Sequence, residues 1–301
     1  MKNSFNFFIN LLNIFVAFVL CISILEPIKI NRAEKVIEIN KKCCAEIQIT
    51  SDSEKTISPS KNQKPKMAIV IDDFGSYDQS GVETILKCGE KLTCAVIPNV
   101  DNTIKNIDDA LIFNHEVILH MPMQAHVRLP ESWYGPIYIS SGDDKTTIYQ
   151  KIDKCLSQFP EIKGFNIHIG SGISRNKTLM KYIYEYANEH KLYFLDSRTI
   201  ITNGTTDACK ETNSIYLGRD VFLEADKNKS YSGVCKRLFE CANLALENGY
   251  SVAIGHVGAE GGENTARAVC DCIKKIKEMG VEIVPLYEIY SDISSSNYVS
   301  K

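Results

Sequence analysis

Six ionisable side chains stand at or beside the ends of short apolar runs: Asp72 and Asp73 after MAIVI, His120 in EVILHM, His168 in FNIHI, Asp196 closing LYFLD and His256 closing SVAIGH. One carboxylate and two imidazoles from different runs make a donor set for a divalent cation that keeps open positions for water and substrate, and zinc is the first choice. A second carboxylate beside the cation can deprotonate water, and a histidine across the pocket can protonate a leaving group. Each residue alone has a plainer reading. Asp72-Asp73-Phe74-Gly75 can be a helix N-cap and a tight turn, and a lone strand histidine is more often a satisfied core residue. Their shared placement favours the site, because independent structural histidines have no reason to end successive strands. His115, His126 and His190 keep the structural reading, His190 as a cation near a helix C-terminus.

The elements that must position these groups alternate along the chain. MAIVID, LTCAVI, EVILHM, FNIHI, LYFLD, SVAIGH and VEIVPLYEI, with a weaker candidate at DVFLE, are rich in Val and Ile, as parallel strands buried on both faces are. Between most of them lie segments with helical spacing, such as DKTTIYQKIDKCLSQF, KTLMKYIYEYANEH, SGVCKRLFECANLALENG and ENTARAVCDCIKKIKEMG, the last two closed by Gly249 and Gly280. The alternation predicts an α/β fold of seven or eight strands, a barrel or a doubly wound sheet. In either, the carboxyl ends of the strands meet at one mouth, where active sites lie.

Composition narrows the class. With 44% hydrophobic and 24% charged residues the 301-residue chain can bury a substantial core. Residues 1–66 carry 10 Lys/Arg against 6 Asp/Glu and the remainder 24 against 31, so the folded part is acidic and nucleic acid is not expected as a partner. Residues 1–30 hold an uncharged stretch from Asn3 to Leu25 behind one lysine, a membrane anchor or an export signal. No clean small-x-small site follows it, which favours the uncleaved anchor. Residues 31–66 are a polar linker, 67–291 the folded domain and 292–301 a tail. Eleven cysteines are present without a C-x-x-C pair. Those at 88, 94, 155, 235, 241, 270 and 272 fall in apolar stretches and read as buried thiols, while Cys43 and Cys44 lie in the linker.

The segments IVIDDFG, HEVILHMPM, GFNIHIGS, LDSRT, GRDVFLE and AIGHVG, in this order, resemble the divergent polysaccharide deacetylase family of bacterial envelope proteins. That family is distantly similar to metal-dependent carbohydrate esterases that remove N-acetyl groups from chitin-like and peptidoglycan polymers. The resemblance covers about residues 66–291 and implies a distorted (β/α) barrel of about seven strands. By position it makes Asp72 the general base, Asp73 a metal ligand, His120 the first histidine of the H-x-x-x-H ligand motif and His256 the general acid. The second motif histidine falls at Gln124, so His168 must supply the missing ligand. Arg198 or Arg219 would stand for the motif arginine, and Glu224 occupies a position more usually Asp. Asn166, Asp196, Arg198, Trp133 and Tyr134 are the expected substrate contacts, the two aromatics lying on a long loop where they can stack on sugar faces. The implied activity is zinc-dependent deacetylation of an N-acetylated envelope polysaccharide by an exported, membrane-anchored or periplasmic protein. The alternative is a catalytically inactive glycan-binding or scaffold module of the same fold.

Overall fold

In a computed structural model of the chain, the described residues are 64–225 and 229–299. The apolar N-terminal segment, nearly all of the linker, and Cys21, Cys43 and Cys44 lie outside them. Among the described residues no helix is long and apolar enough to cross a membrane.

The apolar runs become strands β1 (Lys66–Phe74), β2 (Thr93–Val96), β3 (Glu116–Met123), β4 (Gly164–Ile169), β5 (Tyr193–Asp196), β6 (Leu217–Gly218), β7 (Val221–Phe222), β8 (Tyr250–His256) and β9 (Glu282–Ile283). All their pairings are parallel, in the order β6-β5-β4-β3-β2-β1-β8-β7, with β9 beside the foot of β1. Both edges come from one short stretch. Residues 217–218 pair with β5 and residues 221–222 with β8, so the sheet curls round to a distorted (β/α) barrel.

Two apolar layers fix which side chains face inward. Met67, Ile69, Ile71, Leu119, Phe165, Ile167 and Phe194 pack beneath the helices. Ala68, Val70, Ile118, Leu195, Val252 and Ile254 fill the barrel interior. Strand side chains alternate, so the interior set continues to Asp72, His120, Asn166, His168 and His256.

The helices are α1 (Val82–Leu86), α2 (Thr103–Ile112), α3 (Lys145–Leu156), α4 (Lys177–Glu189), α5 (Gly204–Glu211), α6 (Tyr231–Asn248), α7 (Gly262–Glu278) and α8 (Leu286–Val299). Side chains of Asp144, Asn176 and Ser230 cap α3, α4 and α6, satisfying N–H groups that have no partner within the helix. Gly249 ends α6 at φ 87°, a conformation that costs glycine little.

Three expectations need correction. VEIVPLYEI is a strand only at Glu282–Ile283. Pro285 ends it, and Leu286, Ile289 and Ile293, at helical spacing, enter the interior cluster from α8. That helix runs to Val299, so the boundary at 291 falls inside an element. Cys88 and Cys270 are not thiols but a disulfide joining the end of α1 to α7 across 182 residues of sequence. Cys94, Cys155, Cys241 and Cys272 are buried free thiols and Cys235 is half-buried, as expected.

Candidate metal centre

The mouth of the barrel opens into a cavity of about 980 Å³ lined by Asp72, Asp73, His120, His168 and His256, with Trp133, Ser197, Arg198, Arg219 and Phe222 among its walls. At its floor the β1–β2 register slips between Ile71 and Phe74, and Asp73 takes φ 67°. This bulge re-aims one residue, so adjacent aspartates both reach the site although strand alternation would send them to opposite faces.

Three donor atoms converge. Asp73 Oδ1 lies 3.1 Å from His168 Nδ1 and 3.4 Å from His120 Nε2, and the two imidazole nitrogens are 3.1 Å apart. The outer partners fix what these atoms carry. Asn166 Nδ2 donates to Asp72 Oδ1 at 2.8 Å, so its Oδ1 accepts from His120 Nδ1 at 2.7 Å and leaves the lone pair on Nε2. His168 Nε2 donates to the Trp133 carbonyl at 3.1 Å, which leaves the lone pair on Nδ1. Asp73 Oδ1 itself is buried without a hydrogen-bond partner. Two imidazole lone pairs and a carboxylate oxygen pointing at one another repel unless a cation sits among them. A tetrahedral ion with ligands at about 2.0–2.1 Å has ligand–ligand edges of roughly 3.3–3.4 Å, close to the observed triangle. Among the described residues Asp73, His120 and His168 are the one such cluster.

Beside the triangle stand two further ionisable groups. Asp72 is buried, its Oδ2 lies 3.9 Å from His256 Nε2, and burial raises its carboxyl pKa against the pull of His120, His256 and Asn166. Glu224, also buried, accepts from the His256 backbone N–H at 2.9 Å, from His256 Nδ1 at 3.0 Å and from Thr265 Oγ1 at 2.7 Å. The bond to Nδ1 leaves His256 Nε2 facing the cavity. Burial alone would lower the His256 pKa, but the Glu224 bond and the charges of Asp73, Glu224 and Asp72 push it up to about 9. Gly261 makes room for this arrangement: a Cβ there would lie 2.3 Å from the His256 carbonyl and 2.6 Å from Glu224 Oε1. Burial likewise works against the charged forms of Asp73 and His120, but His120 and His168 lower Asp73 well below its ordinary value, and the carboxylates of Asp72 and then Asp73 raise His120.

Several expected substrate contacts stand elsewhere. Asn166 is fully buried behind Asp72 and His120 and orients both. Asp196 follows Leu195, an interior residue, and so points out of the barrel, where it accepts from the Arg198 N–H and the Tyr216 hydroxyl. Tyr134 is buried, stacks on Tyr138 and accepts the Ala125 N–H. Trp133, 60% exposed, and Arg198 do line the cavity. Gln124 accepts the Ser141 N–H at 2.7 Å and takes no part in the triangle, where His168 stands instead. His115 bridges Leu92 N and Leu86 O, and His190 is the C-cap of α4, both structural as expected. Asn166 and Thr265 escaped recognition as supports, because an uncharged side chain behind a site leaves no pattern in a single sequence.

A parallel barrel with a carboxylate–bis-imidazole cluster and a buried aspartate–histidine pair at its mouth sets the class of the protein. The chain belongs to the divergent polysaccharide deacetylase family, whose model matches residues 69–290. It is 30% identical over 191 residues to the uncharacterized protein YibQ of Escherichia coli K12 and 28% identical over 193 residues to an uncharacterized protein of Haemophilus influenzae Rd. Each match covers 64% of this chain, but it spans only 58% and 66% of those two proteins. The uncharacterized protein ATU2773 of Agrobacterium tumefaciens C58 shares the fold, with a TM-score of 0.68 at 17% identity over 76% of this chain and 91% of that one.

Proposed function

We propose that the protein is a zinc-dependent deacetylase of an N-acetylated envelope glycan. The observation that carries this reading is the convergence of three uncompensated lone pairs from Asp73, His120 and His168 on one point beside an acid–base pair. These three residues would hold the cation. When bound, it supplies Lewis acidity toward an acyl oxygen and lowers the pKa of water.

The chain's own groups handle the protons. Asp72 has one oxygen committed to Asn166 and the other free toward the cavity, and its raised pKa suits a general base that takes a proton from attacking water. His256, held at Nδ1 by Glu224, whose carboxylate favours the imidazolium, presents Nε2–H to a leaving nitrogen. Trp133 at the rim offers an aromatic face for a sugar ring. A scaffold module would have no use for two carboxylates held in one buried site. The apolar N-terminal segment supports an exported location at the cell envelope.

Acetate release from N-acetylated chito-oligosaccharides by the zinc-loaded protein tests the reading. Asp72→Asn is expected to keep the metal and lose roughly a hundredfold or more in rate, the share general acid–base catalysis contributes. A zinc-loaded wild type that releases no acetate from any N-acetylated glycan would favour the binding module.

A further inference from the structure

The chemistry above leaves two cations of the cavity wall without employment. Arg198 sits at φ 47°, in the left-handed region that disfavours a residue with a side chain. Its conformation is over-determined. The Arg198 N–H donates to Asp196 Oδ1 at 2.8 Å, and Nε donates to the Tyr216 hydroxyl at 3.2 Å, which in turn donates to Asp196 Oδ2 at 3.0 Å. Arg219 then pins the same segment, donating Nε to the Ser197 carbonyl at 2.7 Å and Nη2 to the Arg198 carbonyl at 2.8 Å. Its guanidinium lies 4.9 Å over the Phe222 ring.

Both arginines line the cavity, and among the described residues neither makes an ion pair within 4 Å. The carboxylates nearest them in sequence hydrogen-bond elsewhere: Asp196 spends its oxygens on a backbone N–H and a tyrosine hydroxyl, and Asp220 accepts the Val252 N–H at 2.8 Å, so both attract the arginines only at longer range. The fork of Arg198, Nη1 and Nη2, is uncommitted, as is Nη1 of Arg219. Burial and then the charge of Arg198 lower the Arg219 pKa against the pull of Asp72 and Asp196, and a bound anion beside the two arginines offsets that cost. A rigid, planar and unpaired guanidinium fork matches a carboxylate or a phosphate through paired N–H donors.

We infer that Arg198 and Arg219 form a subsite for an oxyanion substituent, carboxylate or phosphate, carried by the N-acetylated sugar. The inference rests on reading the cavity as a glycan site and narrows its substrate class to acidic N-acetylated sugars. Trp133 and Phe222, which also line the cavity, would take the apolar face of the ring.

Equilibrium binding of three probes to the full chain tests this: N-acetylglucosamine, N-acetylmuramic acid with its carboxylate, and N-acetylglucosamine 6-phosphate. At least one acidic sugar is expected to bind about tenfold or more tighter than the neutral one, the order a charge-assisted bidentate contact supplies. Which acidic sugar wins identifies the oxyanion. Arg198→Gln should bring the ratio of acidic to neutral affinity close to one, and Arg198→Lys, which keeps charge but not the planar fork, should restore only part of it. The Arg198 side chain is exposed, so neither change opens the core. Equal binding of all three sugars, no binding of any, or a ratio that survives both Arg198→Gln and Arg219→Gln would overturn the subsite. Acetate release by the zinc-loaded protein, measured alongside, separates the two readings. Preference for an acidic sugar without hydrolysis sinks the deacetylase and keeps the subsite; hydrolysis at equal kcat/KM for all three does the reverse.

Discussion

Glu224→Gln removes the charge that holds His256 while keeping an oxygen for the His256 and Thr265 donors. The His256 pKa of about 9 stands above its ordinary 6.5, and at 1.36 kcal/mol per unit the gap is roughly 3 kcal/mol of preference for the imidazolium. Burial opposes that preference, and the Glu224 bond leads the favourable causes, ahead of Asp73 and Asp72. Because the folded value lies above the unfolded one, this stabilisation is full below about pH 6.5 and is lost as pH rises through about 9. In chelator-treated protein the His256 ring protons, followed by NMR, should therefore titrate near 9. In Glu224→Gln the midpoint should drop by about one unit or more, the usual effect of losing an adjacent opposite charge. The fall in melting temperature between pH 6.5 and 9 should flatten in the variant. A wild-type midpoint near 6.5, or one unmoved by Glu224→Gln, would refute the reasoning.

Two further outcomes follow from the packing. Asn166→Ala should destabilise the protein by about 1–3 kcal/mol in denaturant titration, because it strands the buried Asp72 carboxylate and the His120 N–H at once; a change below about 0.5 kcal/mol would show that water replaces the amide. Peptide mapping after alkylation without reductant should find Cys88 joined to Cys270 and label Cys94, Cys155, Cys209, Cys235, Cys241 and Cys272 as thiols; a freely alkylated Cys88 would contradict the pairing.

The strands that carry the chemistry were legible because parallel strands buried on both faces read as continuous Val/Ile runs. The same property hid which face is which. In LYFLD both parities are apolar, so nothing in the sequence says that Leu195 faces inward and Asp196 outward, and Asp196 was misplaced. In β4 the polar pair Asn166 and His168 shares one parity, so a correct reading of one carries the other. The Asp72–Asp73 pair needed a bulge that only the register reveals. The Pro285 break was visible, yet the apolar run around it outweighed the helical spacing of Leu286, Ile289 and Ile293. Tyr134 shows the limit of loop aromatics as a signal: of two adjacent rings, one lines the cavity and its neighbour is core.

Zinc content after dialysis against micromolar zinc tests most directly the proposal that Asp73, His120 and His168 hold a catalytic cation. The wild-type protein should retain one equivalent, with His168→Ala and Asp73→Ala each losing it and Asp72→Asn and Gln124→Ala keeping it. A wild type that retains no zinc, or a His168→Ala protein that retains as much as the wild type, would contradict the account.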